Sequence, residues 1–372
     1  MCQNKIIVIS FDCAGGENSI VAGGIATHVY EIYSHLDANF KDKILLLTGY
    51  GYDHPLNVST IKLPYLNIRY LKLFSFHFIA ALYLLFFLRK LKPKAVHIQF
   101  LESSFFPALA ASLMGAKIII SSHFYYKKTD FDFLLRPIVD LMWKIVLPLI
   151  DTLIVLSPDA RDYYYNMFKE HDLHNKININ VVPNGAISLL FLEQLNEEKS
   201  LQKNNDSRII LFVGRLGKPK NVIKLLEAFD KISEKDLELW LVGDGPDKTK
   251  VENYIRTSKK YNKIKVLGWQ PRKQVYRLMK SADIFILPSL WEGMPIALFE
   301  AYALGMKCVC HRNTFTEKIP GVILLNSPES DEILDKIQKA LITDCHNDQQ
   351  FIKQYSWENS SNSLKRIYER YI

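Results

Sequence analysis

Short apolar, β-branched runs alternate along the chain with longer stretches of helical period. In the first half, residues 5–10, 43–48, 95–99, 117–121, 152–156 and 178–182 read as strands. Helical patterns fall between most of them, including 26–36, 71–91 and 134–149. This alternation predicts a doubly wound, mostly parallel α/β sheet. It lapses over the charged stretch 193–207 and then restarts, with strands at 208–213, 238–242, 263–267, 283–287, 307–310 and 322–325. The expected architecture is two Rossmann-like domains facing a central cleft, residues 1–185 and 186–356. The last helix, 357–372, would rejoin the first domain.

The second half is organised around PSLWEGMPIALFEAYALG, residues 288–305, which follows the apolar run 283–287. Pro295 stands where a helix can begin, because its missing N–H is not needed there. Ile296, Leu298, Phe299, Tyr302 and Ala303 follow at helical spacing, and Gly305 supplies a stop. Glu292 then lies in the strand-to-helix loop, and Glu300 lies roughly 7–8 Å along the helix. The free N–H groups at the helix start favour an anion, so a diphosphate could sit between two carboxylates that each face a sugar. The plainer reading is a loop glutamate and a solvated helix glutamate.

Upstream, the strand at 208–213 ends in Gly214-Arg215-Leu216, followed by Lys218, Pro219 and Lys220. A guanidinium fork plus a point charge at a strand's carboxyl end suits a diphosphate leaving group. Gly243-Asp244-Gly245-Pro246 closes the next strand as a tight turn. In the first half, Gly23-Gly24 precedes a helix and could admit a phosphate near the backbone, although a plain loop serves as well. The G-x-G-x-x-G dinucleotide fingerprint is missing, which disfavours hydride transfer. His123 follows the strand at 117–121, at the sheet edge where open α/β folds bind ligands; a structural histidine is the other reading. His97, one strand earlier, reads as core. Asp130 and Asp132 form a D-x-D pair whose simpler role is helix capping.

Size and charge narrow the class. The 372 residues suit two domains, and the formal charge of +8 points to an anionic partner. No zinc-knuckle spacing or recognition-helix signature favours nucleic acid. Five scattered cysteines fit reduced thiols, and Cys308 and Cys310 on one strand read as small core residues, not metal ligands. No signal peptide is evident, so a cytoplasmic protein is expected. Residues 62–94 are basic and aromatic, with no acid between Asp53 and Glu102. Residues 73–88 number 16, short of the ~20 that cross a bilayer. Two readings remain for the segment, an interfacial helix on the anionic inner face of the plasma membrane or a buried crossover helix.

Taken together, Gly23-Gly24, His123, Pro183-Asn184-Gly185, Gly214-Arg215-Leu216 with Lys220, Gly243-Asp244-Gly245-Pro246, and Glu292 with Glu300 resemble the family-four retaining glycosyltransferases of GT-B fold. The wording of SLWEGMP and of 316–320 is most similar to enzymes of bacterial exopolysaccharide, capsule or O-antigen assembly. The resemblance implies that Arg215 and Lys220 bind the donor diphosphate and that Glu300 binds the ribose. Glu292 would contact the donor sugar near the reacting carbon, and His123 would face that sugar. Gly24, Gly214, Gly293, Met294 and Pro295 complete the implied nucleotide-sugar site. No metal or resident cofactor is implied, since a UDP-sugar is a co-substrate; the acceptor would be a lipid-linked saccharide. Asn221 and Ile187 depart from the family's usual Gly and Asp, and Met294 and Pro295 from its frequent Phe and Gly, which leaves the donor sugar open. A GDP-sugar transferase, a nucleotide-sugar epimerase and a non-catalytic scaffold are the alternatives. Conversion without acceptor would mark the epimerase, and nucleotide binding without turnover the scaffold.

Overall fold

A computed structural model describes the chain apart from residues 1–5, 14–23, 52–55, 69–70, 102, 124–140, 143, 186, 190–191, 193–206, 293, 314–317 and 345–346. It divides into two units, residues 1–184 with 358–372 and residues 185–357.

The first unit is built on β1 (Ile6–Cys13), β2 (Ile44–Gly51), β3 (Ser59–Lys62), β4 (Ala95–Ile98), β5 (Lys117–Ser122), β6 (Thr152–Val155) and β7 (Asn178–Val181). They form one parallel sheet in the order β3-β2-β1-β4-β5-β6-β7. Strands buried on both faces carry apolar residues at successive positions, which is why Ile6-Ile7-Val8-Ile9 reads as an unbroken run. Ile7, Ile9, Leu45 and Leu47 pack on one face, with α3 (Leu71–Tyr83), α4 (Phe105–Leu113) and α5 (Pro158–Glu170). Ile6, Val8, Ile44 and Leu46 pack on the other, with α1 (Gly24–Ser34) and α2 (Ala38–Lys41). Leu364, Ile367 and Tyr368 of the last helix join that second cluster. Strand β3 was not signalled by its sequence: it is a short, largely exposed edge strand and needs no apolar run.

Helix α3 continues through a π turn (Leu84–Leu88) and a 3-10 turn (Arg89–Leu91), and Lys92 ends it at φ 46°. The whole run, Leu71–Leu91, has 21 residues, and an 18-residue window within it has mean hydropathy 2.0, so it meets the length and composition of a membrane-crossing helix, as the core helix of a globular domain also can. The helix is longer than the 16-residue apolar segment because it extends past that segment at both ends, and part of it is buried in the first unit's core. Its two faces differ. Phe76, Ala80, Leu84 and Leu88, spaced by four, lie in the core, whereas Leu71, Phe74, Phe78, Leu82 and Phe86 form an exposed stripe.

The second unit holds β8 (Arg208–Val213), β9 (Leu237–Val242), β10 (Ile264–Gly268), β11 (Ile284–Leu287), β12 (Lys307–His311) and β13 (Ile323–Leu325), all parallel, in the order β10-β9-β8-β11-β12-β13. Its helices are α6 (Val222–Lys231), α7 (Lys248–Thr257), α8 (Arg272–Ser281), α9 (Ile296–Ala303), α10 (Ser330–Ile342) and α11 (Gln349–Gln354). The last helix, α12 (Trp357–Glu369), starts at the boundary between the units. Sequence order reverses between β1 and β4 in one sheet and between β8 and β11 in the other. In open α/β sheets ligands bind outside the carboxyl ends of the strands at such a switch point.

Candidate functional site

In the second unit the switch-point loops are 214–221, after β8, and 288–295, after β11. They are tied together by Leu290 N–H donating to Pro219 C=O at 2.8 Å. Gly214 gives the lysine stem room, since a Cβ there would stand 3.2 Å from the Phe212 ring and 3.6 Å from Lys220 Cε. Lys220 Nζ donates to Glu292 Oε1, which also accepts from Ser289 Oγ at 2.7 Å. The pair is mostly shielded, with side chains 22% and 14% exposed. Arg215 is exposed and has no hydrogen-bond or ion-pair partner among the described residues. One cation is therefore held by a carboxylate, and a second nearby in sequence is available to an incoming anion.

Asn221 connects the lysine to α6 at φ 57°, and its Nδ2 donates to Pro328 C=O at 2.8 Å. Asparagine tolerates the left-handed region better than other non-glycine residues, so this departure from the family's glycine keeps the same backbone turn. Gly243 has φ +135°, and a Cβ there would fall 1.9 Å from Gly214 C=O; only glycine lets the β9 turn lie against the Arg215 loop. Ile187 is buried core, and Met294 is buried beside the start of α9.

Pro295 is the N-cap of α9, one residue before the first helical position, and Gly305 ends the helix at φ 82°. Glu300 is buried inside α9. Its Oε1 accepts from Arg272 Nε at 3.1 Å, Arg272 Nη2 at 2.9 Å and Tyr276 O–H at 2.8 Å. The carboxylate is thus fixed and charge-compensated, not a freely solvated helix residue. Arg272 and Tyr276 escape a motif search, although their i, i+4 spacing at the start of α8 puts them on one helix face.

The first unit carries Gly24 and His123. Gly24 begins α1, and a Cβ there would meet nothing within 4 Å. His123 directly follows β5 and is buried; its Nε2 faces Gln99 Oε1 at 3.0 Å. The His28 ring from α1 stands edge-on to it at 4.8 Å, with Nδ1 2.6 Å from Asn184 Oδ1. Burial holds all these imidazoles neutral. His28 is pushed down to about 4 by desolvation, against its hydrogen bond to Asn184, and His97 to about 3 by desolvation and the nearby His28. His123 is lowered well below the usual range by desolvation, with His28 and His97 adding to it. His97 is the core residue its position suggested, but polar: Nδ1 contacts Tyr368 O–H at 2.6 Å and Nε2 contacts Ser121 Oγ at 2.8 Å. Gln99 and Asn184 complete this group; Gln99 carried no motif, and Asn184 stands in Pro183-Asn184-Gly185 without its contact to His28 being signalled.

Cys308 and Cys310 are buried on β12, and burial pushes the Cys310 thiol up to about 12. Among the described residues no cluster of three His, Cys, Asp or Glu side chains could hold a metal. Gly293, Asp130 and Asp132 lie outside the described residues. The structure gathers Lys220 and Glu292 into one contact and gives Glu300 its own cage. Gly24 and His123 belong to the other unit.

Known proteins match along almost the whole chain. Residues 22–186 match the Glycosyltransferase Family 4 domain and residues 193–357 match the domain described as Glycosyl transferases group 1. The chain belongs to the family-four glycosyltransferases, with GT-B fold. This glycosyltransferase is 35% identical over 140 residues to the Escherichia coli UDP-Gal:alpha-D-GlcNAc-diphosphoundecaprenol alpha-1,3-galactosyltransferase, covering 35% of the chain and 36% of the relative. It is 31% identical over 235 residues to a Bacillus subtilis protein assigned as the glycosyltransferase EpsF, covering 60% of the chain and 59% of EpsF. The matches thus span about a third and three fifths of those relatives' length. Among solved structures, Anabaena HepE in complex with UDP and glucose superposes with TM-score 0.67 at 14% identity, covering 99% of this chain and 95% of that one.

Proposed function

We propose that this glycosyltransferase moves a hexose or N-acetylhexosamine from a UDP-sugar to a lipid-linked saccharide, with retention of anomeric configuration, in the assembly of a bacterial surface polysaccharide. The observation that carries the reading is the exposed guanidinium of Arg215, without a partner among the described residues, on the same loop as Lys220, which pairs with Glu292 from the loop after β11 at the sheet's switch point. As the bond from the anomeric carbon to the diphosphate oxygen breaks, negative charge grows on the leaving group. Arg215 and Lys220 supply two positive charges to meet it. Lys220 is held in place beforehand by Glu292, so little reorganisation is needed when the donor arrives. Glu292 then faces the sugar end of the donor, and Glu300 accepts from the ribose hydroxyls. Gly24, Gly214, Gly293, Met294 and Pro295 are the further residues assigned to donor binding. UDP in the HepE complex and the UDP-galactose and lipid diphosphate in the E. coli relative's name support the donor and acceptor classes.

The decisive experiment incubates the full chain with UDP- and GDP-sugars and an undecaprenyl-diphosphate saccharide, and reads the product's anomeric configuration by NMR. Transfer from a UDP-sugar with retention is expected. Conversion of donor without acceptor would replace the proposal with an epimerase, and nucleotide binding without any turnover would replace it with a scaffold.

A lipid-linked acceptor brings the protein to a membrane, and the stripe on α3 fits a cytoplasmic, peripheral enzyme on the anionic inner face. Phe86 and Phe87 are 73% and 66% exposed. Arg89, Lys90, Lys92 and Lys94 lie exposed just beyond them, with no ion pair among the described residues. A bared aromatic face with cations at its end suits insertion between anionic headgroups, each Lys or Arg contributing about 1 kcal/mol. Vesicles rich in anionic lipid should carry the protein in flotation at low salt. The double variant Phe86→Ser, Phe87→Ser should bind at least ~10-fold more weakly, from the apolar burial lost. No binding by the unaltered protein at low salt would refute the membrane reading.

A further inference from the structure

The first unit contains a directional chain of buried hydrogen bonds that the transfer chemistry above does not use. It begins at Gln99, the residue after β4, whose Nε2–H donates to Tyr33 O–H at 3.2 Å. Tyr33 O–H lies 2.6 Å from Tyr368 O–H, and Tyr368 O–H lies 2.6 Å from His97 Nδ1. His97 Nε2 in turn meets Ser121 Oγ at 2.8 Å. A neutral His97 accepting at Nδ1 must carry its proton at Nε2 and donate to Ser121. Tyr33 O–H also lies 3.2 Å from His97 Nδ1, so both tyrosine hydroxyls converge on that acceptor, and with Gln99 donating at Nε2 the network runs from Gln99 to Ser121.

That direction fixes the Gln99 amide. With its N–H2 committed to Tyr33, its Oε1 faces His123 Nε2 at 3.0 Å, and an oxygen acceptor requires a proton on that nitrogen. His123 Nδ1 is then the lone-pair nitrogen. It has no partner among the described residues, and it is not one of the side-chain atoms sealed from solvent. We propose that Gln99 is a positioning residue that holds His123 in its Nε2–H tautomer, so that Nδ1 accepts a hydrogen bond from one hydroxyl of the transferred sugar. The assignment rests on the donor-sugar reading of His123 given above. It also gives the carboxy-terminal helix a part in the site, because Tyr368 of α12 anchors the chain that orients Gln99.

Among the described residues the titratable groups acting on His123 are His28 and His97, both kept neutral by burial, and there its one hydrogen-bond partner is Gln99. Long-range 1H–15N spectra of the full chain, free of ligand, read directly which His123 nitrogen is protonated. The Nε2–H form is expected in the unaltered protein. In Gln99→Leu a mixture of tautomers should appear, and kcat should fall about 10- to 100-fold with the donor KM changed less than threefold, because the contact orients the sugar during transfer. Gln99→Glu keeps an acceptor toward His123 Nε2–H and should restore the tautomer. Its carboxylate also raises the imidazole pKa, so the acid limb of kcat should move to higher pH. Donors deoxygenated one position at a time should lose rate at a single hydroxyl in the unaltered protein and not in Gln99→Leu. Protonation at Nδ1 in the unaltered protein, or equal kcat in the Gln99→Leu variant, overturns the assignment. Absence of transfer from every donor would instead overturn the donor-sugar reading, and the spectra would still decide the tautomer.

Discussion

Arg215→Ala is expected to slow sugar transfer by about 10²–10³-fold and to weaken UDP binding about 10-fold, while leaving the melting temperature almost unchanged. The rate loss is the ~2.7–4 kcal/mol that one preorganised donor contributes to a developing oxyanion. The affinity loss is smaller, because bound UDP keeps its other contacts and is partly solvated, whereas the rate reports the contact as charge develops in the transition state. Stability should hold because the guanidinium is exposed and touches no partner among the described residues, and such substitutions stay within ~0.5 kcal/mol. Other members of the site would give less readable results. Glu300→Ala strips the acceptor from Arg272 and Tyr276, so it should reduce folding stability as well as nucleotide affinity. Lys220→Ala leaves Glu292 partly buried without its cation. Steady-state kinetics with calorimetry of UDP binding measure both effects for Arg215. An unchanged kcat/KM together with an unchanged UDP Kd would remove this residue, and the diphosphate reading with it.

The first unit should lose stability steeply on mild acidification. Its four buried histidines, His28, His77, His97 and His123, are all held below their ordinary value by desolvation; His28 and His77 fall to about 4 and His97 to about 3. In the unfolded chain each titrates near ~6.5. Below that pH the unfolded state takes up protons that the folded unit refuses, so stability rises with pH. The full stability is present above ~6.5 and is lost as pH falls toward about 4. A shift of the size given for His28, from 6.5 to about 4, corresponds to about 3 kcal/mol per group. Two such groups would consume much of the ~5–15 kcal/mol typical of a domain. Thermal melts between pH 7.5 and 4.5 should show an early transition that moves down with pH, and limited proteolysis should place it in residues 1–184. His77→Gln should make the slope shallower by about one proton, since His77 is remote from the proposed chemistry and its Nδ1 bonds Leu73 C=O at 2.8 Å. A melting temperature flat from pH 7 to 5 would refute the argument.

Much of the fold was legible because parallel strands covered on both faces print continuous apolar runs. All six second-unit strands begin and end within one residue of their runs in the sequence, and β8 matches its run at both ends. Parts of the site were legible for the same reason. Gly214-Arg215, Glu292 and His123 stand at strand ends, and strand ends are where local pattern is sharpest. The edge strand β3 was not legible, because a solvent-facing STIK needs no apolar signature. For α3 the sequence allowed an interfacial and a buried face together, and which residues lie on each depends on what packs beneath the helix.

By itself, then, the sequence determined the elements, their parallel alternation and the polar groups after β8, β11 and β5, since these depend only on near neighbours. Tertiary structure alone decided what those groups touch. Glu292 takes its lysine from 72 residues away, Glu300 takes its arginine from 28, and Tyr33 reaches Tyr368 across 335. A carboxylate or an imidazole has the same letter whether solvated, paired or sealed, and its chemistry is set by partners that only the strand order brings within hydrogen-bonding distance.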